Sequence, residues 1–156
     1  MTETSSSSRF TLRDGSPFGP PLIGALLRVP ANRVREHTLA RLHEHGFTDL
    51  EVSHFGVLSY PGPQGLRPSE LAARLGMSRQ ALNYLLGQLE TRGYLRRTID
   101  PEHMRSKRIV LTERGLATVP VIRGAVAEIE EEWSRLLGAT RFAQLRTLLV
   151  DLNDRL

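Results

Sequence analysis

A mainly α-helical fold with one small β-hairpin (α+β) is predicted by three observations. Apolar residues recur at helical spacing in segments punctuated by Gly and Pro. Two short runs, Tyr94 to Ile99 and Lys107 to Leu111, have strand character and flank a polar, proline-containing connection. The chain then closes with a long apolar-striped segment from residue 113 to residue 156. A length of 156 residues with 40% apolar content suits one globular unit, or a small domain plus helices that pair two copies of it.

Residues 1–19 are Ser-rich and then interrupted by Gly15, Pro17 and Gly19, a composition that predicts a disordered tail. From Pro21 to His45 the apolar positions Ile23, Leu26, Leu27, Val34, Leu39 and Leu42 predict a first helix, with Pro30 placed to kink it and Gly46 to end it. Asp49 is the expected cap of a second helix over Leu50 to Ser59, which the run Pro61-Gly62-Pro63 stops. A third helix begins with Pro68 in its first turn, where a missing N–H costs nothing, and closes at Gly76.

The fourth helix is the most sharply defined. Ser78 is a good N-cap, and Leu82, Leu85, Leu86 and Leu89 fall at i, i+3, i+4 and i+7, which makes one apolar stripe. The opposite side then carries Arg79, Gln80, Asn83, Tyr84 and Gly87. The connection Asp100 to Ser106 is read as the loop between two strands. Thr112 caps a fifth helix with Leu116, Val119, Ile122, Val126, Ile129, Trp133 and Leu136 on one side, and Pro120 is expected to bend or restart it. After Gly138 a last helix, Thr140 to Leu156, aligns Phe142, Leu145, Leu148, Leu149 and Leu152.

Helix, tight turn, helix and basic hairpin in this order make a winged helix-turn-helix, with the outward side of 78–92 rich in groups that read base edges. Charge agrees: the net charge is +4, yet the stretch Arg67 to Arg114 alone holds ten Lys/Arg against five Asp/Glu, a surface that attracts a polyanion.

The run from Leu66 to Gly115 resembles the MarR family of bacterial transcription regulators. The resemblance lies in Ser69-Glu70-Leu71-Ala72, Gly76-Met77-Ser78, Leu89-Glu90, Gly93-Tyr94-Leu95, Asp100-Pro101, Arg105 and Leu111-Thr112-Glu113-Arg114-Gly115. It implies a homodimeric regulator, a repressor, that binds a pseudo-palindromic duplex operator. Residues 20–47 and 113–156 would form the helical dimerisation region and 48–112 the DNA-binding domain. Ser69, Ser78, Arg79, Gln80, Asn83 and Tyr84 would meet DNA through the major groove and its edges. Arg105, Ser106, Lys107 and Arg108 would meet it from the wing 100–108, near the minor groove.

At the wing this chain departs from the family's aspartate and two arginines: the run is His103-Met104-Arg105. A neutral histidine supplies no negative charge to hold the wing, and Met104 is expected to pack on the hairpin rather than on DNA.

The family also implies a small aromatic or phenolic effector. Arg28, His37, His54, Tyr60 and Trp133 are the candidate lining groups, with Arg33 a second cationic partner. No metal and no cofactor are expected, because His43 and His45 point to different helix faces and His37 lies too far along to join them. With no cysteine, thiol redox sensing is excluded.

Catalysis is not expected either, since no phosphate loop, G-x-S-x-G or HExxH motif is present. The polar start and the short, broken run Leu22 to Val29 predict neither signal peptide nor membrane span, hence a cytoplasmic protein, and the resemblance implies a bacterial, nucleoid-associated one. Two other readings fit the same residues: a winged helix that docks on protein, and a DNA-binding regulator without an effector.

Overall fold

The structure is a computed structural model that describes residues 21–62, 64–100 and 103–156. The expected tail 1–19 and the residues Pro101 and Glu102 lie outside the described residues, as do the side chains of His103 and Arg105. Six helices and a two-stranded antiparallel hairpin follow one another as α1 (Ile23–Glu44), α2 (Val52–Ser59), α3 (Pro68–Leu75), α4 (Arg79–Thr91), β1 (Leu95–Asp100), β2 (His103–Leu111), α5 (Glu113–Leu137) and α6 (Ala139–Asn153). The α+β winged-helix class is therefore the observed one. No helix among the described residues is long and apolar enough to cross a membrane.

Residues up to Arg33 and residues Val34–Leu156 form two compact units. In the first, the opening turns of α1 expose Leu22, Ile23, Leu26, Leu27 and Val29. The helix itself runs as one element through Pro30.

The core of the second unit is built where apolar faces converge. Leu42, Leu50, Val57, Leu58, Leu71, Tyr94, Leu95 and Ile109 pack with Leu82, Leu86 and Leu89, all within 2% of full burial, and Leu85 joins them at 7% exposure. At about 1.5–3 kcal/mol for each buried leucine, the stripe on α4 is a major contribution to holding that helix in place. Ser78 caps α4 as expected, its Oγ accepting from the Ala81 amide at 3.2 Å. Gly76, at φ 60°, makes the left-handed turn between α3 and α4, a conformation that favours glycine.

Several boundaries differ from expectation, each for a local reason. The second helix starts at Val52 rather than Leu50, because its cap is at Glu51, whose amide donates to His54 Nδ1 at 2.9 Å. Asp49 is used elsewhere: it accepts from the Tyr94 hydroxyl at 2.5 Å and from Arg114 Nη2 at 3.1 Å.

β2 begins at His103, four residues before the expected start, so His103 to Ser106 are strand and not loop. The register slips between Ile99 and Asp100, which sets Asp100 opposite His103. A further backbone bridge was not visible in the sequence. Leu66 and Ile109 exchange both N–H···O bonds, at 3.0 and 2.8 Å, and tie the approach to α3 onto the hairpin. Gly65 fits there with φ 73°, where an added Cβ would collide with the Ile109 carbonyl.

α5 is one continuous helix across Pro120. Pro120 and Leu116, the residue one turn before it, are both exposed, so the carbonyl that proline leaves without a donor meets water. The face it buries is Gly115, Thr118, Ile122, Ala125 and Ile129, whereas Leu116 and Leu136 of the expected stripe point outward at 52% and 72% exposure. α6 buries none of its residues and leaves Leu145, Leu148, Val150 and Leu152 exposed.

The start of α5 is clamped to the winged unit. Thr112 caps it through the Gly115 amide and donates to Gly93 O, while Arg114 donates to Arg92 O and stacks over the Tyr94 ring at 4.3 Å. Burial, then the hydrogen bond to Asp49, push the Tyr94 phenol up to about 12. Burial also raises the Asp49 carboxyl, but the Tyr94 bond and the Arg114 charge outweigh it and hold that carboxyl below its usual 3.8.

A carboxyl lowered in the fold contributes stability above its unfolded value and loses it as pH falls through the folded one. Tyr94→Phe is therefore expected to cost about 1 kcal/mol in urea denaturation at pH 7. The difference from the parent protein should narrow as the pH is taken below the normal carboxylate range. An equal cost at pH 7 and in strong acid would contradict the role given to Asp49.

Candidate nucleic-acid interface

The outward side of α4 follows from its inward one. With the leucines buried, Arg79, Gln80, Asn83 and Tyr84 are all exposed, Tyr84 at 68%. Ser78 is exposed too, its oxygen occupied by the cap while its own O–H stays available. Ser69 is exposed in the first turn of α3. A cleft between α3, the first half of α4 and β2 brings Arg67, Ser69, Arg79, Asn83, Ser106 and Lys107 together. Five of these six are residues expected from the sequence, drawn from three separate elements.

Two wing residues stand otherwise than expected. Arg108 turns inward: its Nε lies 3.1 Å from Asp100 Oδ1, and Nη1 donates to Gln64 O at 3.2 Å. Its side chain is half-buried and works as a strut. Met104 projects into solvent at 78% exposure and does not pack on the hairpin. The side chain of Arg105, the expected minor-groove group, lies outside the described residues.

The hairpin has a negative anchor after all, three positions before His103. Asp100 is fully buried, and Arg67 Nε donates to its Oδ2 at 2.6 Å while Arg108 approaches Oδ1. One carboxylate thus joins the approach to α3, the end of β1 and the middle of β2. Charge-assisted bonds of this kind hold geometry well in a site that excludes water. Arg67 went unrecognised in the sequence, because its partner is 33 residues away and no short-range pattern marks the pair.

Two acidic groups of the segment are committed to arginines. Besides Asp100, Glu90 is engaged by Arg97 at 3.4 Å through its side chain and at 3.3 Å through its amide.

The residues expected around an effector have varied surroundings. His54 is fully buried, its Nε2 2.8 Å from Gln88 Oε1, with Arg92 Nη1 3.2 and 3.3 Å from its two ring nitrogens. It is thus a core strut between α2 and α4 rather than a group open to a ligand. His37 Nε2 lies 2.7 Å from Glu128 Oε2, and Arg41 reaches the other oxygen at 3.1 Å. The His37 bond and the Arg41 charge keep the Glu128 carboxyl below its usual value. Trp133 is half-buried in an apolar cleft with Ile129, Phe142, Leu145 and Leu149. Tyr60 and Arg28 are exposed. Among the described residues no group of three His, Asp or Glu side chains is arranged to hold a metal ion.

A family model described as "MarR family" matches residues 39–106, which span the end of α1, α2 to α4, β1 and the start of β2. Over these residues the chain is similar to the MarR family. Among solved structures, the chain resembles the transcriptional repressor CouR bound to a 23-mer DNA duplex. That match has a TM-score of 0.65 and 28% identity over 85% of this chain and 92% of CouR. CouR from Rhodococcus jostii RHA1 bound to p-coumaroyl-CoA matches with a TM-score of 0.67 and 26% identity, over 83% of this chain and 90% of that one. A Bacillus subtilis protein described as an uncharacterized HTH-type transcriptional regulator, YkoM, is 34% identical over 82 residues. The aligned part is 53% of this chain and about half, 52%, of YkoM.

If Asp100 anchors the hairpin, Asp100→Asn should destabilise the fold by about 3 kcal/mol, the usual cost of removing one partner from a buried ion pair. Hydrogen exchange should then quicken from residue 95 to residue 111. Unchanged stability and protection would contradict the anchoring.

Proposed function

We propose that this chain is a transcriptional repressor that binds a pseudo-palindromic duplex DNA operator as a homodimer, with α4 in the major groove and the wing 100–108 near the minor groove. The observation that carries the proposal is the shared cleft. Groups that bond to phosphate or to base edges converge from α3, α4 and β2, while Glu90 is committed to Arg97 and Asp100 to Arg67 and Arg108.

In this arrangement Arg79 makes a bidentate contact with guanine, Gln80 or Asn83 pairs with adenine, and Ser69, Ser78 and Lys107 hold phosphate. Tyr84 lies beside them on α4, Ser106 borders the cleft, and Arg105 is the wing residue assigned to the minor groove. The solved complex of CouR with a DNA duplex supports this reading.

The homodimer is supported by the apolar surface that α6 leaves uncovered, together with the exposed leucines of α1. Residues 20–47 and 113–156 form its dimerisation region, and 48–112 the DNA-binding domain. Two-fold symmetry then sets half-sites about 10 base pairs apart, one turn of duplex. A small aromatic or phenolic effector belongs to the proposal, supported by the coumaroyl-CoA complex of CouR. Such a regulator works in the cytoplasm, at the nucleoid.

Binding to a duplex selected from a random pool, followed by fluorescence anisotropy across salt, tests the proposal. With six or more phosphates neutralised, affinity should fall by roughly 10³ between 50 and 200 mM salt. A flat salt response would point instead to a module that docks on protein. Arg79→Ala should lose about 1–3 kcal/mol on the selected duplex and relax one base position, whereas Lys107→Ala should weaken all duplexes alike. Equal losses for Arg79→Ala on selected and random duplex would remove it from base reading. Release of the protein from its duplex by one of a panel of aromatic acids would reveal the effector, and no release by any would leave a regulator without one.

A further inference from the structure

On the outward face of α4, Gln80, Asn83, Tyr84, Gly87 and Thr91 fall at i, i+3, i+4, i+7 and i+11, and Gly87 lies along the middle of that stripe. A glycine inside a helix weakens it relative to alanine, because its backbone loses more freedom on folding. Nothing in the fold requires one at this position. A Cβ built on Gly87 meets no atom within 4 Å, and α4 is an unbroken helix there, with no positive-φ residue between Gly76 and Gly93. Around Gly87 the surface forms a shallow concavity bordered by Asn83, Tyr84, Gln88, Thr91 and Arg92. The position therefore leaves the helix backbone bare at the centre of the one face that the leucine stripe turns outward.

We infer that Gly87 is a contact point for duplex DNA, where the missing side chain lets the middle of α4 approach the nucleic acid closely. Resting on the DNA-binding reading above, this extends the interface beyond the first turn of α4, so that the helix lies along the groove with Tyr84 and Thr91 flanking the bare backbone. A Cβ at Gly87 then strengthens the free protein and obstructs the complex, two effects of opposite sign that a purely structural glycine would not give.

Gly87→Ala and Gly87→Leu in the full chain test this. Thermal unfolding of the free protein should rise by roughly 2–4 °C for Gly87→Ala. Affinity for a duplex selected from a random pool by the unaltered protein should fall about tenfold for alanine and further for leucine, each step of ten being a modest contact energy.

If the unaltered protein binds duplex and both variants bind it equally well, the inference fails while the DNA-binding reading stands. If the unaltered protein shows no salt-dependent binding to any duplex, that reading fails first. A lowered unfolding temperature for Gly87→Ala would show that the fold itself needs the glycine, and would also overturn the inference.

Discussion

The geometry of the candidate interface depends on the burial of one leucine stripe. Leu82, Leu86 and Leu89 are buried to within 1%, and Leu85 nearly so, which leaves α4 a single way to lie on α2, α3 and the hairpin. Rotating the helix by a third of a turn would expose part of that stripe and bury Arg79 or Asn83 among apolar neighbours, both costly. The polar face is outward because the apolar one has no alternative place to go. That constraint fixes the direction of the guanidinium and amide groups before any partner arrives.

Around that helix, several charges hold the neighbouring elements together. Asp100 is a buried knot for Arg67 and Arg108 at the wing. Asp49, Tyr94 and Arg114 make a second knot at the start of α5, with Arg114 also bonded to the last turn beyond α4. His54 braces α2 against Gln88 from the core side. The candidate interface is thus carried on a frame tied at both ends, one tie reaching the wing and the other reaching the helix that continues toward α6. Such ties suit a surface that must present several contacts at fixed spacing.

Much of this was legible in the sequence, because the features concerned are local. The Ser78 and Thr112 caps, the turn at Gly76 and the four-leucine spacing each depend on residues a few positions apart, and each appears where expected. The outward set Arg79, Gln80, Asn83 and Tyr84 follows directly from them. Features that depend on distant partners were not legible. Asp49 reads as a helix cap until Tyr94, 45 residues on, claims it. Arg108 reads as a wing cation until Asp100 and Gln64 draw it inward. His103 to Ser106 read as a loop because, of the four, only His103 pairs with β1, across an irregular register that no local pattern marks. The helical stripes of α5 and α6 mark apolar residues correctly but do not say which of them the chain itself covers.

The central claim is that the cleft joining α3, α4 and β2 is where duplex DNA docks. Amide hydrogen exchange of the protein with and without a selected duplex tests it most directly. Protection should appear at residues 67–69, through 78–91 and across 103–108, with the surface of α6 unchanged. Protection confined to α6, with the cleft exchanging as freely as before, would contradict the account.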